Sequence, residues 1–308
     1  MSHPEKDYDV VIIGGGPAGL SAGIYTARAR LSSLLVEIGA VGGQILNAEW
    51  VENYPGFPEG ISGFDLTQFM HKQATGFGLE TVMAGVTGIE VTGEQKVVKT
   101  SQGDFAARAI IIASGSERQK LGVPGEAEFT GKGVSYCATC DAAFFREKPV
   151  AVVGGGNAAI TEALELTKFA SKITVIHRRN ELRATQILQE KAFAEPKIEF
   201  LWDSVVEGIE GEAFVSQIKV RNVKTNQESA LDVSGVFVSV GFKPNTDYLG
   251  GILTLDATGA IITNDKMETS VPGILAAGDI RSNSIRQVIA AAGDGATAAI
   301  YAERYLSG

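Results

Sequence analysis

The chain's only two cysteines, Cys137 and Cys140, stand close together in Cys137-Ala-Thr-Cys140-Asp141. Thiols at this spacing can open and close one small ring, so the pattern reads as a dithiol that cycles with a disulfide. A static staple is the bland alternative, but so short a ring constrains little of the unfolded chain and would stabilise poorly. A zinc site usually takes four nitrogen or sulfur ligands. The only histidines, His3, His71 and His177, are distant in sequence, so no metal is expected. By itself the CxxC does not decide the chemistry; the elements around it must.

Those elements are two dinucleotide fingerprints. Val10-Val11-Ile12-Ile13 reads as a buried parallel strand. It runs into Gly14-Gly15-Gly16-Pro17-Ala18-Gly19, which places Gly14, Gly16 and Gly19 in the GxGxxG phase. A helix is predicted from Leu20 to about Arg30, then a strand Leu34-Leu35-Val36 ending in Glu37. This is the full strand, glycine turn, helix, strand, acid context. The glycines allow a tight turn and let a pyrophosphate approach the helix N-terminus. Glu37 lies 23 residues past Gly14 and would accept hydrogen bonds from a ribose 2′-hydroxyl.

The pattern repeats at Val150-Ala151-Val152-Val153, Gly154-Gly155-Gly156-Asn157-Ala158-Ala159, a helix to about Phe169, and a strand Ile173–Ile176. Here Gly154, Gly156 and Ala159 form the GxGxxA variant. His177 occupies the same 23-residue offset as Glu37 and is followed by Arg178, Arg179 and Arg183. An acid suits a free 2′-hydroxyl, whereas a His-Arg-Arg cluster suits a 2′-phosphate. The first site therefore reads as FAD or NAD and the second as NADPH; a solvated basic face is the bland reading of the arginines. The stretches Ala109–Gly115 and Gly235–Gly241 echo each other as apolar strands ending in glycine. Each should close its own nucleotide domain.

The expected fold class is therefore α/β, with two Rossmann-like nucleotide-binding domains, the second inserted into the first. Residues 1–117 and 247–308 would form the discontinuous first domain, and 118–246 the inserted second domain carrying the CxxC. In the tail, Ile274–Asp279 reads as a strand ending in an acid that could also cap a helix. A helix from Ile285 to about Tyr305 carries small residues suited to close packing. Between Ile89 and Thr100 a short meander is expected.

Among 308 residues, 37 are glycine, and the net charge of -9 argues against a nucleic-acid binder and an anionic-membrane surface. Neither a signal-peptide core nor an apolar run of membrane-spanning length is visible, so a cytoplasmic protein is expected. In that compartment a CxxC is more often catalytic than structural.

Taken together, these motifs, with Gly42-Gly43-Gln44, Glu52-Asn53-Tyr54-Pro55-Gly56 and Gly278-Asp279…Arg286-Gln287, resemble the low-molecular-weight, bacterial-type thioredoxin reductases over nearly the whole chain. The resemblance implies a glutathione-reductase-type fold whose discontinuous domain is the FAD-binding domain and whose inserted domain is the NADPH-binding domain, with FAD held by Gly14, Gly16, Gly19, Glu37, Gly43, Gln44, Asn53, Asp279 and Gln287. It implies NADPH held by Gly154, Gly156, Ala159, His177, Arg178, Arg179 and Arg183. Cys140 would lie against the flavin, Cys137 would attack the disulfide of thioredoxin or a thioredoxin-like protein, and Asp141 would be the acid–base group. A homodimer is the usual form in the family. Two departures stand out: Ala142 follows the aspartate where glycine is common, and Asn157 replaces a frequent aspartate. A flavin-dependent dithiol oxidase, a ferredoxin-fed relative and the reductase arm of a peroxidase pair share the fold. The arginine cluster speaks against the first two, and the third usually carries an extra N-terminal thiol domain. A non-catalytic NADPH-binding redox sensor is the alternative from another class, and would show negligible turnover.

Overall fold

A computed structural model of the chain describes residues 6–48, 50, 51 and 53–308; the side chains of Lys6, Asn47, Thr139 and Cys140 also lie outside the description. Two compact units share the chain. One takes the residues up to Glu117 and again Lys243–Gly308; the other is Arg118–Phe242.

In the first unit, β1 (Lys6–Ile13), α1 (Pro17–Arg28), β2 (Ser33–Glu37), α2 (Gly63–Gly76) and β3 (Glu80–Met83) alternate along the chain. The meander β4 (Val86–Thr92), β5 (Gln95–Thr100) and β6 (Gly103–Ile112) follows. These strands form one sheet in the order β3-β2-β1-β6-β5-β4. The β3–β2, β2–β1 and β1–β6 pairings are parallel. The meander expected between Ile89 and Thr100 is continuous with this sheet, because the first residues of β6 pair antiparallel with β5.

The crossing strand β7 (Ser116–Arg118) leads to the second unit. That unit contains β8 (Val134–Ser135), α3 (Ala138–Asp141), β9 (Pro149–Val153), α4 (Asn157–Leu166), β10 (Lys172–Ile176), α5 (Gln186–Ala194) and β11 (Ile198–Leu201). It continues with β12 (Ser204–Gly211), β13 (Val215–Asn222), β14 (Glu228–Asp232) and β15 (Gly235–Val238). Its main sheet runs β11-β10-β9-β15-β8, all parallel, with β12-β13-β14 as a separate antiparallel sheet. After β16 (Phe242–Pro244) come β17 (Ile274–Ala276), parallel to the last residues of β6, and α6 (Val288–Ser307). Strand, glycine turn, helix and next strand therefore recur in the same order in both units.

Side-chain alternation explains why the central strands read as unbroken apolar runs. Val10 and Ile12 of β1 pack with α1, α2 and α6, whereas Val11 and Ile13 pack on the opposite face with residues of the 249–280 segment. In β9, Val150 and Val152 face α4, and Ala151 and Val153 face the β12–β14 sheet. A strand covered on both faces has no polar side to display.

Close backbone packing sets the glycine pattern. Gly14 adopts φ +104°, and a Cβ there would lie 2.4 Å from the Ala113 carbonyl oxygen; one on Gly19 would lie 1.8 Å from the Gly14 carbonyl oxygen. The expected small-residue contact of the last helix is also present: a Cβ on Gly295 would approach Ala18 O to 2.0 Å, so α6 rests directly on α1. Gly19→Ala should therefore destabilise the protein by about 3 kcal/mol, the upper range for overpacking a filled interior. Urea unfolding checks this, and an unchanged midpoint would count against the close approach.

The last helix begins at Val288, three residues later than its sequence pattern suggests, with Gln287 at the N-cap position. Asp279 is not a helix cap; it lies in the short turn Gly278–Ile280. Among the described residues no helix is long and apolar enough to cross a membrane.

Candidate functional site

In the first unit the glycine turn between β1 and α1 gathers most of the expected residues. The Glu37 carboxylate, at the end of β2, accepts hydrogen bonds from Gly15 N (2.6 Å) and Gly39 N (2.9 Å). It is thereby aimed at the turn, with acceptor capacity left for a ribose hydroxyl. Gly16 caps α1, and the 42–43 segment folds onto it: Gly42 N donates to Gly15 O (2.8 Å), and a Cβ on Gly43 would lie 3.0 Å from Gly16 Cα. Gln44 is exposed, and its Nε2 donates to Ser116 O.

Asn53 and Gln287, 234 residues apart, meet through Nδ2–H···Oε1 at 3.0 Å. Asp279 accepts from Ser284 Oγ at 3.0 Å, and burial raises its pKa above the ordinary aspartate value. Next to it, Arg281 grips Asp294 through Nε (2.5 Å) and Nη2 (3.0 Å), and Gly278 N donates to the same carboxylate. This last clamp was not read from the sequence, where nothing marks Asp294 inside the helix.

In the second unit, the turn between β9 and α4 is built the same way. Gly154 has φ +151°, and a Cβ there would meet Ser239 O at 2.3 Å and Ala159 Cβ at 2.7 Å. Ala159 is buried where the first unit has Gly19. Gly156 caps α4, and no heavy atom lies within 4 Å of where its Cβ would stand. The open space above a helix N-terminus is where a pyrophosphate can approach. Asn157 Oδ1 accepts from Thr185 N at 2.7 Å, and Arg183 N donates to Gly155 O at 2.7 Å, which ties the arginine loop to the turn.

His177 takes the place of Glu37 in the second unit but is held differently. Its ring lies so close over Gly155 that a Cβ on that glycine would be 2.4 Å from Nδ1. The side chain is buried, and Nε2 has no hydrogen-bond partner among the described residues. Burial, and then the charges of Arg183 and Arg179, lower its pKa below the usual histidine value. Arg178, Arg179 and Arg183 are exposed and make no ion pair among the described residues. A cleft of about 340 Å³ is lined by Gly154, Gly155, His177, Arg178, Arg183 and Ser239. Guanidinium groups without ion pairs at such a cleft have the chemistry to hold an anion.

A pH dependence follows. Folding holds His177 below its unfolded pKa, so between the two values the unfolded chain binds the extra proton. Stability is then fully present above about pH 6.5 and is lost as pH falls towards the folded value. Thermal melts should drop from pH 7 to 5.5, and His177→Gln should flatten that part of the profile. An equal slope in both proteins would remove the argument.

The redox motif sits at α3. Cys137 is disulfide-bonded, and the side chain of Cys140 lies outside the described residues. Ser135 Oγ accepts from Cys137 N (3.1 Å) and donates to Asp141 Oδ2 (2.6 Å), while Asp141 N donates to Cys137 O (3.2 Å). Asp141 is thus held at the end of the cysteine turn by a hydroxyl that the sequence did not single out. Upstream, Glu126 accepts from Leu121 N, Gly122 N and Tyr136 Oη, and fixes the strand that enters the motif. Burial and that carboxylate push the Tyr136 pKa up to about 12. Ala142 is buried, with its methyl group in the core beside Phe145 and Ala138.

Residues 8–295 match the family described as pyridine nucleotide-disulphide oxidoreductase. The chain is 46% identical over 308 residues to a thioredoxin reductase of Peptoclostridium acidaminophilum, covering 98% of each chain. It is 48% identical over 303 residues to one of Bacillus subtilis (strain 168), covering 98% of this chain and 96% of the relative. Among solved structures, the thioredoxin reductase from Streptococcus pyogenes MGAS5005 superposes with a TM-score of 0.83 at 47% identity, covering 98% of both chains.

Proposed function

We propose, for a chain that belongs to the pyridine nucleotide-disulphide oxidoreductase family, that it is a thioredoxin-disulfide reductase using FAD and NADPH. One observation carries the reading: a single unit contains both the disulfide-bonded Cys137 and a dinucleotide cleft rimmed by arginines without ion pairs.

The first unit is the FAD-binding domain in this reading. Gly14 and Gly19 let the turn close on its own backbone, Gly16 leaves room for the pyrophosphate, and Glu37 takes the ribose. Gly43, Gln44, Asn53, Asp279 and Gln287 complete the site. The second unit is the NADPH-binding domain: Gly154, Gly156 and Ala159 shape the turn, His177 lies over it, and Arg178, Arg179 and Arg183 take the 2′-phosphate. When bound, a flavin accepts hydride from a nicotinamide and delivers electrons to a disulfide.

The chain's own part is thiol exchange. Once the Cys137–Cys140 bond is reduced, Cys137 as thiolate attacks one sulfur of the partner disulfide. The partner's other sulfur leaves as a thiol, and a mixed disulfide forms. Cys140 then attacks Cys137 Sγ, releases the second partner thiol and restores the starting bond. Asp141, oriented by Ser135, holds the proton that moves between thiol and leaving group. A homodimer in the cytoplasm, where thioredoxin-like substrates are kept reducible, completes the assignment.

An anaerobic titration of the purified yellow protein with NADPH, with dithiothreitol in parallel, tests this. Rapid bleaching of the flavin by NADPH is the expected result. Bleaching by dithiothreitol alone would overturn it in favour of an oxidase or a ferredoxin-fed enzyme.

A further inference from the structure

Glu162 lies on α4, the helix that starts at the second glycine turn, yet it faces the redox motif. Its carboxylate accepts a hydrogen bond from the backbone N–H of Ala138, the residue after Cys137 and inside the motif. Ser239 Oγ donates to Oε2, and Arg118 Nη1 stands 3.6 Å from Oε1. Arg118 also feels the charge of Asp141. Ser239 is the residue whose carbonyl packs against Gly154. One partly buried carboxylate is therefore hydrogen-bonded to the cysteine turn and to the wall of the glycine turn, and ion-paired with the arginine of β7.

We propose that Glu162 is a positioning residue for the Cys137–Cys140 couple, holding the Ala138 amide and Arg118 so that the dithiol is less acidic and less favoured than it would be without that carboxylate. The proposal rests on the redox reading of the two cysteines. Its physics is local. A backbone N–H and a guanidinium beside a thiol both favour the thiolate. Here both are directed to a carboxylate, which adds a negative charge of its own. Charged and polar groups face Glu162 from three sides: Arg118 from β7, Ser239 after β15 and the Ala138 amide from α3. Burial raises the Glu162 pKa, while the three partners act in the opposite direction and favour its charged form.

The test uses the full-length holoenzyme equilibrated with reduced and oxidised glutathione at pH 8. In this exchange the protein disulfide plus two glutathione thiols give the protein dithiol plus one glutathione disulfide. The alkylation rate of the reduced protein by iodoacetamide is then followed against pH. Glu162→Gln keeps the size of the side chain and removes its charge. It should shift the equilibrium towards dithiol by about three- to tenfold, a tenfold shift being about 30 mV for a two-electron couple. It should also move the alkylation profile to lower pH. Arg118→Gln leaves the carboxylate uncompensated and should move both readouts the other way, which keeps the proposal testable if either variant folds poorly. Two variants indistinguishable from wild type, or two that shift in the same direction, overturn it. A wild-type protein whose Cys137 never exchanges with glutathione overturns the redox reading itself, and the proposal with it.

Discussion

Cys137→Ser should reduce turnover with a protein disulfide by at least about a thousandfold while leaving a flavin that NADPH still reduces. A serine hydroxyl at neutral pH is a far weaker nucleophile towards sulfur than a thiolate, so the exchange step loses the atom that begins it. The residues proposed to hold the cofactors are unchanged, because Cys137 lies at α3, while the glycine turns are formed by β1–α1 and β9–α4. Stopped-flow reduction by NADPH and steady-state reduction of thioredoxin measure the two halves separately. The substitution also leaves Cys140 as a lone thiol, with no disulfide to accept electrons from a reduced flavin, and removes the thiolate that would form the mixed disulfide with the partner. Full turnover in the variant would overthrow the assignment of roles.

The second large effect concerns the nicotinamide cofactor. Arg178→Ala combined with Arg179→Ala should raise KM for NADPH by about 10- to 100-fold and leave KM for NADH nearly unchanged. Hydrogen bonds to charged groups contribute about 1.5–3 kcal/mol each, and the exposure of these side chains argues for the lower part of that range. Neither arginine has a carboxylate to neutralise it among the described residues, so its charge is available to a ligand. NADH lacks the 2′-phosphate and has no such contact to lose. High salt should weaken NADPH binding in wild type more than in the variant, since screening acts on the same charges. An unchanged preference between the two cofactors would remove the 2′-phosphate argument.

Both predictions start from residues that could be read without a structure, for a definable reason. A parallel strand, a glycine turn and the helix after it are set by local backbone geometry. The runs at Val10–Ile13 and Val150–Val153, the glycines at 14 and 154 and the offset to Glu37 and His177 therefore appear as spacing in the chain. Repetition of the unit made the α/β class legible, and two cysteines with no others made the redox motif legible. Element ends were less so. The last helix starts at Val288 because the chain before it, at Gln287, is still extended, a choice of backbone angle that hydrophobic period does not encode.

What the sequence by itself determined, then, is everything carried by nearest neighbours along the chain: the strands, the two turns, the acid in one and the basic cluster in the other. Tertiary structure alone decided which distant groups meet. Asn53 finds Gln287, Arg281 finds Asp294 and Glu162 finds Ala138 because helices and loops pack at a particular register. Tertiary packing also decided that His177, at the same offset as Glu37, is a buried ring over Gly155. Such contacts depend on distances across the fold, and no spacing along a chain records them.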